Sequence, residues 1–195
     1  MTAVAALESG QVRTRRGPDA LTVASYVAGG ALLLASVAML AAFYNLRDAA
    51  STWPPKGVDF DEYLSAMLTA TLLLSGAVVA WGASAARHDN RRQALASLAI
   101  TAGLGAAFLN LAWYTGGHSG FGPSSHAFGA VVIAGLVIGS VGVAFGIGFL
   151  VVAMLRTQLK AGEADFVGAA ARFWFFVVAA WIVSPVALYG LMSPK

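Results

Sequence analysis

The chain has 195 residues, 58% of them apolar and only 11% charged, with a net charge of +3 and no cysteine. A soluble domain carries roughly 25% charged residues, so this composition excludes an ordinary soluble fold, and the missing thiols exclude disulfides, thiolate metal sites and cysteine nucleophiles. The basic excess sits at the ends of apolar runs, where membrane topology places Lys and Arg, so it points to no nucleic-acid partner.

In chain order, residues 1–20 form an arm with little to bury, expected to be flexible. Arg13, Arg15 and Arg16 precede an apolar run of about 25 residues, too long for the roughly 7–15 of a signal peptide, so Leu21–Leu46 reads as a retained first span. The loop Arg47–Glu62 contains Trp53-Pro54-Pro55-Lys56-Gly57, stiffened by two fixed φ angles and carrying an aromatic suited to the headgroup zone. A second span covers Tyr63–Ala86, Arg87–Arg92 is a tight basic turn, and a third span covers Ala94–Tyr114. Thr115–Ser125, rich in Gly and Ser, reads as a loop. The fourth span is His126–Leu155, Arg156–Arg172 is a mixed-charge connection, and the fifth span is Phe173–Met192. Runs of this length predict an all-α, polytopic membrane protein, a five-helix bundle over residues 21–195.

The basic residues give the bundle a direction. Arg13, Arg15, Arg16, Arg87, Arg91, Arg92, Arg156, Lys160 and Arg172 lie on one side, against Arg47, Lys56 and Lys195 on the other. That asymmetry predicts a cytoplasmic N-terminus and an external C-terminus.

Within the predicted spans there is no Asp, Glu, Lys or Arg near mid-membrane. Such groups mark ion paths and proton relays, so a pump or channel is disfavoured. No histidine is deep in a span for heme ligation, and Met39 and Met67 read as packing residues. His118 and His126 read as solvated loop histidines rather than an incomplete metal site. No catalytic, cofactor-binding or metal-binding residue is singled out. Gly135, Gly139, Gly142 and Gly146 fall on one stripe of the fourth helix, a surface for close helix packing or, alternatively, an acyl-chain groove. Trp174 and Trp181 share a face of the fifth helix and, with Trp53, are candidate anchors toward a partner or the membrane interface. Arg47, Arg87, Arg91, Arg92 and Arg172 are candidate contacts for lipid headgroups or another subunit.

The order of these features resembles subunit III of heme-copper terminal oxidases (cytochrome c oxidase) in a five-span form. The resemblance covers about residues 21–192. Phe43-Tyr44 resembles the aromatic end of a family helix, and Trp53-Pro54-Pro55-Lys56-Gly57 its Trp-Pro-Pro-x-Gly loop. Leu72-Leu73-Leu74-Ser75-Gly76 with the later Trp81, Asn90-Arg91-Arg92, and Gly135-Leu136 follow in the family's order. The run Phe173-Trp174-Phe175-Phe176-Val177-Val178-Ala179-Ala180-Trp181 is similar to its terminal signature. The departures are systematic. Phe175 and Val178 stand where the signature has His and Asp. Apolar or small residues, near Ala83, Ser84, Ala112, Thr115, Ala134 and Val137, replace other family polar groups. The first span also lacks the family's carboxylate.

The resemblance implies a non-catalytic accessory subunit packed beside the heme-bearing subunit I, with heme and copper in partner subunits and none in this chain. It also implies bound phospholipid, aerobic electron transport, and the cell inner (plasma) membrane. Proton-uptake roles that rest on the replaced groups do not carry over. The alternative is a structural subunit of another membrane complex, including a nitric oxide reductase carrying a subunit III homologue.

Overall fold

The computed structural model describes residues 20–50, 62–118, 122, 125, 127–159 and 164–191, the side chains of 62, 159, 184 and 186–191 apart. They form five helices: α1 (Ala20–Ala49), α2 (Glu62–Arg87), α3 (Arg91–His118), α4 (Ala127–Leu159) and α5 (Ala164–Leu191). Each contains a stretch long and apolar enough to cross a membrane. Helix is the expected form there, because lipid offers no hydrogen bonds to an unpaired backbone.

The helices outrun the predicted spans. α3 continues past Tyr114 through Gly116 and Gly117 to His118, so His118 is helical, its ring stacked on Tyr114 at 4.1 Å. The largest difference is at α5, which begins at Ala164 rather than Phe173. Ala164 and Ala169–Ala171 are strong helix formers, and Asp165 in the first turn complements the helix dipole. Much of the predicted connection Arg156–Arg172 is therefore helix. Arg172 is not at the edge of a span but eight residues inside α5, about 12 Å along its axis.

α5 is the centre of the bundle. It packs against α1, α2 and α4, while α3 packs on α2 and α4, and α1 on α4. Among the described residues the backbones of α1 and α2 do not come close to each other. α5 is the most enclosed helix and α1 the most exposed. α1 buries Ser25, Gly29, Ser36 and Phe43, a single helical stripe made mostly of small residues. Phe176 of α5 sits against Gly29, and Tyr26 meets its ring edge-on at 5.9 Å.

The α2–α3 turn explains the antiparallel start of the bundle. Asp89 takes a left-handed φ of 54°. Asn90 N–H donates to the Ala85 carbonyl at 2.9 Å and Asp89 N–H to the Ala86 carbonyl at 3.3 Å, a Schellman closure. Asn90 Oδ1 then accepts from Gln93 N–H at 3.3 Å to cap α3. Beyond the turn, Gly82 admits Ser97, whose hydroxyl donates to the Val78 carbonyl at 2.9 Å.

Gly29 and Gly30 give a paired test. A Cβ at Gly29 collides with the Phe176 ring, while one at Gly30 meets nothing within 4 Å. Gly29→Ala is expected to destabilise the detergent-solubilised chain by about 1–3 kcal/mol. Gly30→Ala should be neutral or stabilising by up to about 1 kcal/mol. Thermal unfolding of the two variants checks the pair.

Candidate functional site

Helices that are apolar all round have no polar face to orient them, so local shape and scattered hydroxyls must do so. Among the described residues the buried polar side chains are all hydroxyls: Ser25, Ser36, Ser65, Ser75, Ser97, Thr101 and Thr157. α2 holds α5 through Ser75 and the partly buried Thr69. The Trp174 indole N–H donates to Ser75 Oγ at 2.9 Å, and Ser75 in turn donates to the Leu72 carbonyl at 2.6 Å. One heptad along, the Trp181 indole donates to Thr69 Oγ1 at 3.2 Å, and Thr69 donates to the Ser65 carbonyl at 2.9 Å. Each hydroxyl thus accepts from α5 and returns its own proton to α2, leaving neither of these two indole N–H groups unpaired.

The same two rings are seated on glycines of α4. A Cβ at Gly146 would lie 2.7 Å from Trp174, and one at Gly139 would lie 2.6 Å from Trp181. Gly142, between them, receives Leu32 of α1, at 2.7 Å from the same construction. Gly135 is buried. On α3, Gly105 makes room for Trp174, and Phe108 meets Trp181 edge-on at 4.8 Å. The stripe on α4 is therefore filled by side chains of this chain at Gly139, Gly142 and Gly146. Trp174 is fully buried and Trp181 is 5% exposed. Neither faces outward, contrary to the anchor role expected of them, because α5 is interior rather than peripheral. Trp53 lies outside the described residues.

The outward aromatics are others. Tyr26 and Trp81 are exposed at one end of the bundle; Tyr44, Tyr63, Trp113 and Tyr114 are exposed at the other. Trp113 is 87% exposed. At 1.5 Å per residue, Tyr26 to Tyr44 and Tyr63 to Trp81 each span about 27 Å, close to the roughly 30 Å of a hydrocarbon core. Two such rings match the aromatic belts of membrane proteins. Distance from the helix ends, rather than shared helix face, is the sequence signal that would have found them. Beside Trp113, an apolar cleft of 600 Å³ between α3 and α4 is lined by Leu109, Ala112, Leu136, Val137 and Val141.

The cationic residues gather at the end of the bundle marked by Tyr26 and Trp81. Arg87 closes α2, Arg92 is exposed on the first turn of α3, and Arg91 donates to the Gln158 carbonyl at the end of α4. The Arg156 guanidinium lies over the Phe166 ring at 4.7 Å. Arg172 donates to the Thr22 hydroxyl at 2.9 Å, joining α5 to α1. Arg47 belongs to the last turn of α1, at the opposite end. Among the described residues no group of three or more His, Asp or Glu is placed to hold a metal ion. His126 lies outside them.

The family model for cytochrome c oxidase subunit III matches residues 23–192, and so all five helices. Curated relatives include cytochrome c oxidase subunit 3 of Latimeria chalumnae and of Danio rerio, each 32% identical over 142 residues, with 70% of this chain and 54% of the relative covered. The same subunit of Rhipicephalus sanguineus is 33% identical over 137 residues, 68% of this chain and 53% of its own length. The chain spans about half the length of the curated relatives it matches.

The indole–hydroxyl pairs inside the matched region can be tested by a cycle. Ser75→Ala strands the buried Trp174 N–H and should cost about 1–3 kcal/mol. With Trp174→Phe as background, the further cost of Ser75→Ala should fall well below that figure. Unfolding of the four proteins in detergent gives the coupling.

Proposed function

The chain belongs to the cytochrome c oxidase subunit III family, and from that membership we propose that it is a non-catalytic accessory subunit of a heme-copper respiratory oxidase. It is a multi-pass membrane protein. In this reading it packs against the heme-bearing subunit I, which with other partners supplies heme and copper, and it retains phospholipid at its surface. The family match across all five helices carries the reading.

The interior fits a scaffold better than a conduit. Among the described residues no buried side chain is charged. Where the family signature has an Asp, Val178 is buried, 3.6 Å from where a Cβ on Gly76 would lie. Ala112, at another family polar position, is part of the apolar core. With apolar atoms at such positions, proton delivery falls to the partner subunits. Exposed apolar residues on α1, α3 and α4, including Val27, Leu34, Trp113 and Phe145, offer surface for lipid or a neighbouring subunit. Arg87, Arg91 and Arg92 serve the headgroups at the basic end, and Arg47 those at the other. The excess of basic residues at one end supports a cytoplasmic N-terminus, with the bundle in the cell inner (plasma) membrane.

A mild-detergent pull-down of the tagged chain from native membranes should bring heme absorption bands and a large heme-copper subunit identified by mass. A heme-free eluate with other membrane proteins would reduce the family membership to a shared scaffold. Orientation has its own test, since the chain has no cysteine to interfere. Ser125→Cys should react with an impermeant maleimide applied to intact cells, and Asp89→Cys only after permeabilisation.

A further inference from the structure

The outward faces of the helices differ in what they present to lipid. On α1, α2 and α4 they carry large apolar side chains, among them Leu34, Leu73, Leu74 and Phe145. On α3, between Ile100 and Trp113, the exposed residues are Gly103, Ala106, Ala107 and Asn110, none of them large and apolar.

These residues belong to a regular set. Ala96, Ala99, Gly103, Ala106, Asn110, Trp113 and Gly117 recur at alternating intervals of three and four, and every one is exposed. That is a heptad repeat, whose period of about 3.5 residues keeps one seam of a helix facing a second helix along a left-handed crossing. At 1.5 Å per residue the seam runs about 32 Å, close to the depth of a hydrocarbon core. Apart from Asn110 and Trp113 its members are alanine or glycine, and a Cβ at Gly103 or Gly117 would meet nothing within 4 Å. Small residues at such positions let two membrane helices approach closely.

Asn110 points to what covers the seam. Its side chain is exposed, and among the described residues its amide has no hydrogen-bond partner. Other exposed polar side chains bond to their own helix: Asn45 donates to the Ala41 carbonyl at 2.9 Å, and Thr71 to the Met67 carbonyl at 2.8 Å. Asn110 lies three residues, about 4.5 Å, from Trp113 toward the middle of the bundle. The Cα–Cβ bond of a helical residue tilts toward the start of its helix. For α3 that direction leads away from the nearer aromatic belt and into the hydrocarbon, so the short amide is not turned back toward water. An amide carries both donors and an acceptor, and a second amide at the same depth matches both. Another copy of this chain supplies one, because copies inserted in one orientation hold Asn110 at equal depth.

We propose that two copies of this chain pair in the membrane through α3, parallel and about a two-fold axis along the membrane normal. Asn110 bonds to Asn110 of the second copy, and Ala99, Gly103 and Ala106 stand at the closest approach. A lone asparagine on the seam of a parallel helix pair fixes its register and its two-stranded state. Gly117, one turn beyond Trp113, leaves room for that ring where the seam reaches the aromatic belt. α3 keeps its other faces for α2 and α4. The pairing rests on the membrane placement of α3 and not on the oxidase assignment, so a heme-free pull-down would leave it standing.

Cysteine cross-linking in native membranes tests it, since the full chain has no thiol of its own. Under mild oxidation Ala106→Cys should give a covalent dimer of two tagged chains. A cysteine scan from 99 to 106 should peak at 99, 103 and 106 and fall between them. Phe145→Cys, 73% exposed on α4, should give no dimer. The strength of pairing is read by Förster transfer between labelled Ser125→Cys chains in phosphatidylcholine vesicles of rising lipid content. In that background Asn110→Leu should weaken pairing about tenfold, the loss of one polar contact between helices. Asn110→Gln keeps the amide and should weaken it about threefold at most. Gly103→Leu has open space in the single chain and should weaken pairing at least about tenfold. Gly148→Leu, the same change at an equally open glycine of α4, should leave it unaltered. Absence of a dimer from Ala106→Cys overturns the proposal. So does an even scan or equal cross-linking from Phe145→Cys, either of which marks random collision. Unchanged transfer in Asn110→Leu or Gly103→Leu overturns it as well. Cross-linking of Ala106→Cys to a chain of different mass also overturns it, and would give this face of α3 to another subunit.

Discussion

The bundle depends on two tryptophans of α5 held between a hydroxyl on one side and a glycine on the other. In water, apolar burial alone would draw five such helices together. In lipid that drive is absent, because acyl chains are as apolar as the side chains they would replace. Association then rests on close contact and on polar groups that find each other. Trp174 and Trp181 supply both, each placing a large ring in a glycine notch of α4 and an indole N–H on a hydroxyl of α2. The seven-residue spacing of the rings matches that of Gly139 and Gly146, run in the opposite direction. One pair of residues thus sets the mutual register of α2, α4 and α5, with α3 following through Gly105 and Phe108.

The five helices were legible in the sequence because an apolar run long enough to cross a membrane has few other uses. Their ends were not, and α5 shows why. Asp165 and Arg172 make residues 164–172 look like a connection, yet helix formation depends on backbone bonding and alanine propensity as well as on hydropathy. The glycine stripe of α4 was legible as a spacing, but its occupants were not, since a helix with no polar face carries no record of which neighbour it meets. The same gap misplaced the tryptophans. A Trp pair seven residues apart defines a face but not whether that face looks inward, and only the central position of α5 decides it. Trp81 and Trp113, scattered singly near helix ends, are the outward pair.

The departures from the oxidase family concern the same architecture. Val178 and Ala112 occupy core positions at which the family's polar groups would need partners, and here the neighbours are apolar. A chain that keeps the helices and drops the polar groups retains what a scaffold needs: shape, hydroxyl-satisfied tryptophans and a charged rim. The charge it keeps inside a helix, Arg172, is displaced toward the basic end by its own length, which lets a cation share a helix with a fully buried core residue two positions away.

The separation of the α1 and α2 backbones among the described residues bears on biosynthesis. In most helical hairpins the first helix finds its sequence neighbour as soon as both are in the bilayer. Here, among the described residues, the close neighbours of α1 are α4 and α5, with α5 running parallel to it. When the ribosome has finished α1, its first partner is still about 110 residues from completion. At roughly 5–20 residues per second, α1 waits some 5–20 s for α4 and α5. Its low polarity and its small buried stripe suit that interval, since a solitary helix with an exposed carboxylate would be costly to hold there. The α2–α3 hairpin, closed by the turn at Asp89, can form meanwhile, so assembly runs from the middle of the chain outward and α1 is gathered in last.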